Sequence, residues 1–561
     1  MAKIIDFRLG SADYHELGVR ALSEGRTEKA IGYFKTACGM DDDCASYTAL
    51  GCAYAEIHAL DVSNAVLYVA MSKARSEDEE DGALWQLCSN ALEQGDAEAA
   101  AYYLCCLGED DSAVLDAAER SEEPGFRMAK KGDAEFYETQ LYYANEALAD
   151  NDLDGAMRAV EEMGDAPEPY RTPAQRIKTL CLFAKGDFDK VVALAEQMVR
   201  EDPSLDNKAT LATAYSVQER DEETDALLDE IMATEKLPVE IALKVMPMLI
   251  ARVRDEDVLR AAETVSGSTR FKQFSEMYRA EALWNTGRHK EAVRAMSALN
   301  NIYGVYSPAG YYLKLFRDEP SRVPYGHDWP RSATLDFVNK VRGVCESENA
   351  AKIRDALAYD VEFNEAMRWV IYHAPDVVAC PTLLCISRVT NHTVEKIFRD
   401  RLIGLDLTFD AMAIILDHLL GGGTSMQFDI VTQNRFKRVD FVLPRAYRVL
   451  PRHLHNAVYR AACDIVYTDE TPSVYLERLA GIIDDMVTPQ LGGNDIVWKH
   501  KNGKKIAMLR SEETMIGVLL ARVYADDPDP DEDAMERYDL SERSYYKYKK
   551  IFFGDDGDYE D

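Results

Sequence analysis

Apolar residues recur at helical intervals over most of this chain. Between positions 14 and 37 they fall at Tyr14, Leu17, Ala21, Ala30, Phe34 and Ala37, with Gly18 and Gly25 set among them. Steps of three and four residues describe two short amphipathic helices, and Gly25 supplies the turn that brings the second back along the first. Gly18, Ala21 and Ala30 are small enough for the helices to approach closely, and the large residues fill the remaining space.

The pattern repeats. Ala30, Ala65 and Ala100, each opening a second helix, lie 35 residues apart. Around Ala65 stand Tyr47, Leu50, Gly51 and Tyr54, and around Ala100 stand Leu84, Leu87, Ala91, Gly95 and Leu104. The period breaks through residues 109–131, where Glu122-Glu123-Pro124-Gly125 signals a loop. It resumes with Ala144, Ala147, Asn151, Ala156 and Val160, then with Gly186, Val191, Ala195, Met198 and Pro203. A weaker unit carries Leu211, Tyr215 and Leu228, and a clear one carries Ala280, Leu283, Gly287, Ala292 and Met296. Seven or eight helix pairs are predicted over residues 10–300.

On Leu17-Gly18, Gly25, Ala30, Phe34 and their counterparts the stretch resembles the tetratricopeptide (TPR) repeat, with Ala21 where a tyrosine is usual and Asp42 where a closing proline is usual. No pair can bury its apolar face alone, so neighbours stack into a superhelix with a concave side. The resemblance implies that this side holds an extended peptide or a partner helix.

From Asn301 to Arg331 the period stops among Tyr303, Gly304, Pro308, Pro320, Pro324 and Pro330, although residues 311–316 have the look of a docking helix. Helical periodicity returns over 332–525, in segments such as Phe363 to Tyr372, Phe409 to Leu420 and Leu454 to Ile465. A β-hairpin is predicted near 494–509, turning at Asn502-Gly503. Residues 526–561 read as an acidic connector, a short aromatic-basic helix over 542–553 and an acidic tail. The predicted organisation is all-α: a TPR-like α-solenoid over 1–300, a Pro/Gly/Tyr-rich connection over 301–331 and a mostly helical domain over 332–525, then the C-terminal elements.

The net charge of −35 opposes approach of the whole chain to nucleic acid or an anionic membrane. Residues 331–561 hold 29 Lys and Arg against 38 Asp and Glu, so the first 330 residues carry −26 of that charge. No membrane span or signal peptide is read. Eleven cysteines without a CxxC pair, several at core positions (Cys38, Cys52, Cys88), read as reduced thiols of a cytoplasmic, bacterial protein.

Three surfaces are candidates for binding. The repeat face is rich in Glu and Asp, so a basic or apolar protein segment suits it better than an acidic one. A basic stretch, Arg435, Lys437, Arg438, Arg445, Arg448 and Arg452, is either an anion site, a dock for the acidic N-terminal half or a solvated helix face. The turn Asp539-Leu540-Ser541 and the helix after it resemble the second half of a helix-turn-helix, in which Arg543, Tyr545, Lys547 and Lys549 would meet nucleic acid. His453 and His455, two apart, would point to different helix faces, which argues against a metal pair. No P-loop, HExxH, GxSxG or strand-linked GxGxxG is present, and Gly421-Gly422-Gly423 follows a helix and lacks the lysine of a phosphate loop. The sequence thus reads as a protein-interaction adaptor with no cofactor and no catalytic set. The alternatives are a regulator touching DNA through 532–553, and an enzyme of unrecognised type in 332–525.

Overall fold

A computed structural model describes residues 9–108, 134–149, 151–266, 272–318, 320–487 and 509–553. They belong to two compact units that interleave along the chain. One comprises Met1–Ala55, Leu60–Asp110 and Pro330–Asp561, and the other Glu56–Ala59 and Asp111–Trp329.

In the first unit, α1 (Ser11–Ser23) pairs with α2 (Thr27–Met40), α3 (Cys44–Ala55) with α4 (Leu60–Lys73), and α5 (Glu77–Gln94) with α6 (Ala97–Cys106). A Cβ on Gly18 would stand 2.5 Å from the Phe34 ring and one on Gly51 2.6 Å from Leu67, so the paired helices touch where only hydrogen fits. The α1–α2 turn closes with Gly25 at φ +72° and the Arg26 amide donating to Ala21 O at 2.8 Å. Asp96 caps α6 by accepting from the Ala99 amide at 3.0 Å.

The C-terminal part of this unit is a helical bundle around one core, in which Phe363, Phe398, Ile415, Phe428, Phe441, Leu454, Val458, Leu519 and Tyr545 are all buried. Among the described residues, α1–α6 contribute nothing to that core. The predicted helix at 409–420 is observed as Phe409–Leu420 and that at 542–553 as Glu542–Phe553.

A β-hairpin lies where the basic stretch begins. β1 (Ser425–Thr432) and β2 (Arg435–Val442) pair antiparallel from Ser425↔Val442 to Thr432↔Arg435. Gln433 and Asn434, at φ +50° and +57°, make the two-residue turn whose twist matches that of the strands. The hairpin predicted near 494–509 falls, up to residue 508, outside the described residues. The cysteine reading is corrected at one pair. The helices Arg331–Cys345 and Asp376–Ile386 bring Cys345 and Cys385 to a Cα separation of 5.7 Å, and the two are joined as a disulfide.

Among the described residues the second unit holds five further pairs: Ala134–Ala149 with Leu153–Met163, Arg171–Ala184 with Phe188–Glu201, Leu205–Val217 with Asp221–Met232, Val239–Ala251 with Asp255–Val265, and Lys272–Asn285 with His289–Tyr303. Each turn has one left-handed residue, at Asn151, Gly186, Glu219, Val253 and Gly287, so the spacings are 35, 33, 34 and 34. After each, the next amide reaches back five residues, as in Arg288 N to Leu283 O at 2.8 Å. The helix Ala309–Arg317 buries Tyr312 and Phe316. Counted over the described residues, the first unit holds three helix pairs of tetratricopeptide-like spacing and the second holds five, and these residues are all-α apart from one two-stranded hairpin.

Candidate functional site

The tip of the hairpin rests on α4 and α6. The Tyr68 and Tyr103 hydroxyls both donate to Asn434 O, at 3.1 and 2.5 Å, and Tyr102 donates to Phe436 O at 2.7 Å. The Phe436 amide donates in turn to the Tyr103 hydroxyl at 3.3 Å. These contacts read main chain, so they require a turn of a given shape more than a given side chain. Charge adds selectivity. Arg435 pairs with Glu98 at 2.8 Å and with Glu470 at 3.1 Å, Arg438 pairs with Glu80 and donates to Met71 O at 2.8 Å, and the Asn434 amide group reaches Asp96 at 3.0 Å.

The six basic residues singled out from the sequence therefore divide. Arg435, Lys437 and Arg438 lie on β2. Lys437, only 2% exposed, donates to the helix-end carbonyls of Val466 and Tyr467 at 3.2 and 3.4 Å, and burial together with the nearby Arg435 pushes its ammonium down to about 8. Arg445, Arg448 and Arg452 lie beyond the strand and stay exposed, Arg448 donating to Gly422 O. His455 stacks on Tyr447 with centroids 3.9 Å apart.

A second captured segment lies in the other unit. Residues 320–327 run along the helix Lys272–Asn285. The Asn285 side chain grips one residue by both main-chain groups: its Oδ1 accepts from Val323 N at 2.8 Å and its Nδ2 donates to Val323 O at 3.1 Å. Trp284 Nε1 donates to Pro320 O at 2.9 Å, and Tyr278 shares a 3.0 Å hydrogen bond with His327 Nδ1. Asp255 takes a two-pronged grip from Arg322 at 2.5 and 2.7 Å and a hydroxyl from Tyr325 at 2.8 Å. Burial opposes these partners, which nonetheless hold its carboxyl below the usual value. Glu281, at 0% exposure, accepts from the Gly326 amide at 3.1 Å, and burial pushes its carboxyl well above the usual range.

Of the four residues considered for nucleic acid, Tyr545 is at 0% exposure and donates to Asp531 at 2.5 Å, and Lys549 pairs with the same carboxylate. Arg543 and Lys547 are exposed. Tyr548 accepts the Arg510 and Ser511 amides at 3.0 Å, which seats this helix on the bundle.

The residues holding the captured segments were not singled out from the sequence. Tyr102-Tyr103, two large polar-tipped residues in a second helix, and Asn285, just ahead of a turn glycine, were the available signals. Among the repeat-defining residues, Leu17 is half-buried, Ala30, Ala65, Ala100, Ala156 and Ala292 are buried with Phe34 and Leu50, and Gly95, Gly186 and Gly287 have positive φ.

No protein-family model matches the chain, and no curated protein matches it. Solved structures resemble it at low similarity. The crystal structure of the P58(IPK) TPR domain is 13% identical with a TM-score of 0.22, over 70% of this chain and 98% of that one. The APC/C hetero-tetramer Cut9-Hcn1 is 12% identical with a TM-score of 0.24, over 94% and 96%. Yeast Tom70 is 11% identical with a TM-score of 0.19, over 95% and 99%. The chain's own turn spacing and helix pairing define what it is: a tetratricopeptide-like helical repeat protein.

Proposed function

We propose that the protein is an interaction adaptor that captures an extended segment of a partner protein on the first-helix face of the five-pair array. The observation that carries this reading is the Asn285 grip on Val323, an amide-to-main-chain clamp by which the array already holds a non-helical segment of its own chain.

Glu281 and Asn285 stand six and two residues before the turn at Gly287. The same offsets before the turns at Gly186, Glu219 and Val253 give Leu180 with Ala184, Thr213 with Val217, and Pro247 with Ala251. Leu180 is 56% exposed and Val217 44%, large apolar side chains left in water on the face that is covered in the last pair. Arg176, Asp206 and Lys244 flank it as a ladder from one first helix to the next, at 2.8 and 3.1 Å. A segment rich in small apolar residues fits this face.

Selection of displayed twelve-residue peptides on the full chain tests the proposal. Enriched peptides should be extended and apolar, and the Leu180→Glu/Val217→Glu double variant should bind them at least tenfold more weakly while keeping its helical circular dichroism. If no peptide is enriched, or if binding ignores that double substitution, the first-helix face is not the capture surface.

A further inference from the structure

The hairpin tip and the face beneath it make a second site of different chemistry, within the unit that contains both. We propose that the α4–α6 face is a docking site for a basic protein turn, held shut in this structure by the chain's own hairpin tip, so that a partner turn of like chemistry binds by displacing it. This inference rests on the adaptor reading, and it concerns a surface separate from the five-pair array.

The joint has the make-up of a releasable contact. Three tyrosine hydroxyls donate to its main chain, the Phe436 amide and the Asn434 and Arg438 side chains donate back across it, and its ion pairs are Glu98 with Arg435 and Glu80 with Arg438. The hairpin body is secured elsewhere, because Phe428, Ile430, Val439 and Phe441 lie in the core of the C-terminal bundle, to which α1–α6 add nothing among the described residues. Letting go of the tip therefore costs that core no apolar contact.

The face remains equipped when the tip leaves. Among the described residues the ion-pair partners of Glu80 and Glu98 are Arg438 and Arg435, so release strips both carboxylates of their counter-charge. Glu77, Asp78 and Glu79 add to the field from the first turn of α5. The ligand that restores what is lost presents two main-chain carbonyls two residues apart, as Asn434 and Phe436 do, with arginines in the places of Arg435 and Arg438. That describes a turn of the form x-Arg-x-x-Arg, recognised through shape and positive charge.

The test uses the full chain and a cyclised peptide of residues 430–439, Ile-Val-Thr-Gln-Asn-Arg-Phe-Lys-Arg-Val. Arg435→Ala/Arg438→Ala should free the face, so the variant binds the peptide at least tenfold more tightly than the wild type does, and raising NaCl from 0.05 to 0.5 M should weaken that binding at least tenfold. In the wild type without peptide, the same rise in salt should speed hydrogen exchange of the Phe436 amide, which points at Tyr103, at least fivefold more than that of Val439 in the strand. Equal peptide affinities for wild type and variant, or salt-independent exchange at Phe436, overturn the latch. Such a result leaves the Leu180/Val217 experiment untouched, so the two readings fail separately.

Discussion

Replacing Asn285 by alanine deletes both hydrogen bonds that fix Val323 to the last helix pair. Each is worth about 0.5–1.5 kcal/mol net, so the pair contributes about 1–3 kcal/mol to closure of the 320–327 segment. Val323 is itself buried, so the amide and carbonyl left behind are poorly placed to recover water, which favours the upper part of that range. In the fast-reclosing limit that energy becomes a factor of roughly 5 to 150 in the exchange rate of the Val323 amide proton. The assay is amide exchange resolved at Val323 and at buried positions of the helix Lys272–Asn285, in wild type, Asn285→Ala and Asn285→Gln. The segment should open while the helix keeps its protection, and Asn285→Gln, one methylene longer, should fall between. An unchanged rate at Val323 would refute the clamp. An equal acceleration throughout the helix would show that Asn285 supports the helix pair rather than the segment.

Three further outcomes follow from the geometry. Gly18→Ala forces a Cβ into the Phe34 ring and should cost about 1–3 kcal/mol in denaturant unfolding, whereas Gly32→Ala, with nothing within 4 Å, should gain about 0.5–1 kcal/mol; similar effects at the two sites would deny the close approach. Glu281 has a folded pKa raised above its ordinary 4.5, so its contribution is complete below that value and is lost as pH rises through the folded pKa; wild-type segment protection relative to Glu281→Gln should therefore fall from pH 4.5 upward, and a flat difference counts against its burial as the cause. Lys437 shifts the other way, from 10.5 to about 8, so the unfolded chain holds the extra proton between those values and stability rises with pH across that window, by up to about 3 kcal/mol relative to Lys437→Met; a pH-independent difference would contradict it.

Much of the array was legible in the sequence, because turn and packing constraints repeat with the period. Where the left-handed turn position holds Gly25, Gly95, Gly186 or Gly287, the residue announces itself. Where it holds Glu219 or Val253, it does not: a β-branched residue at φ +57° costs about 1–2 kcal/mol locally and persists because the surrounding helices impose it. That is why the pair around Leu211 and Leu228 looked weak and why the next pair had no clear motif.

The hairpin was hidden for a related reason. Along Arg435-Phe436-Lys437-Arg438 the burial runs without alternation, since Arg435 and Lys437 are covered by partners that lie far away in the chain. Alternation reports which face of a strand meets solvent, and here two charged residues that it assigns to solvent are inside. The run therefore read as an anion site, a dock for the acidic N-terminal half or a solvated helix face, and none of the three readings names a strand.

What the sequence determined by itself is local and periodic: the helix pairs, their closest contacts at Gly18 and Gly51, and the acidic bias of the first 330 residues. Only the tertiary structure decided which parts share a unit, placing α1–α6 with residues 330–553 and setting Tyr68 and Tyr103 on Asn434 and Tyr102 on Phe436, some 330 to 370 positions away. It likewise laid Val323 against Asn285. The physical reason is that main-chain-directed contacts leave no signature in the side chains of the segment they hold, so nothing in residues 320–327 or 433–436 names the tyrosines and the asparagine that bind them.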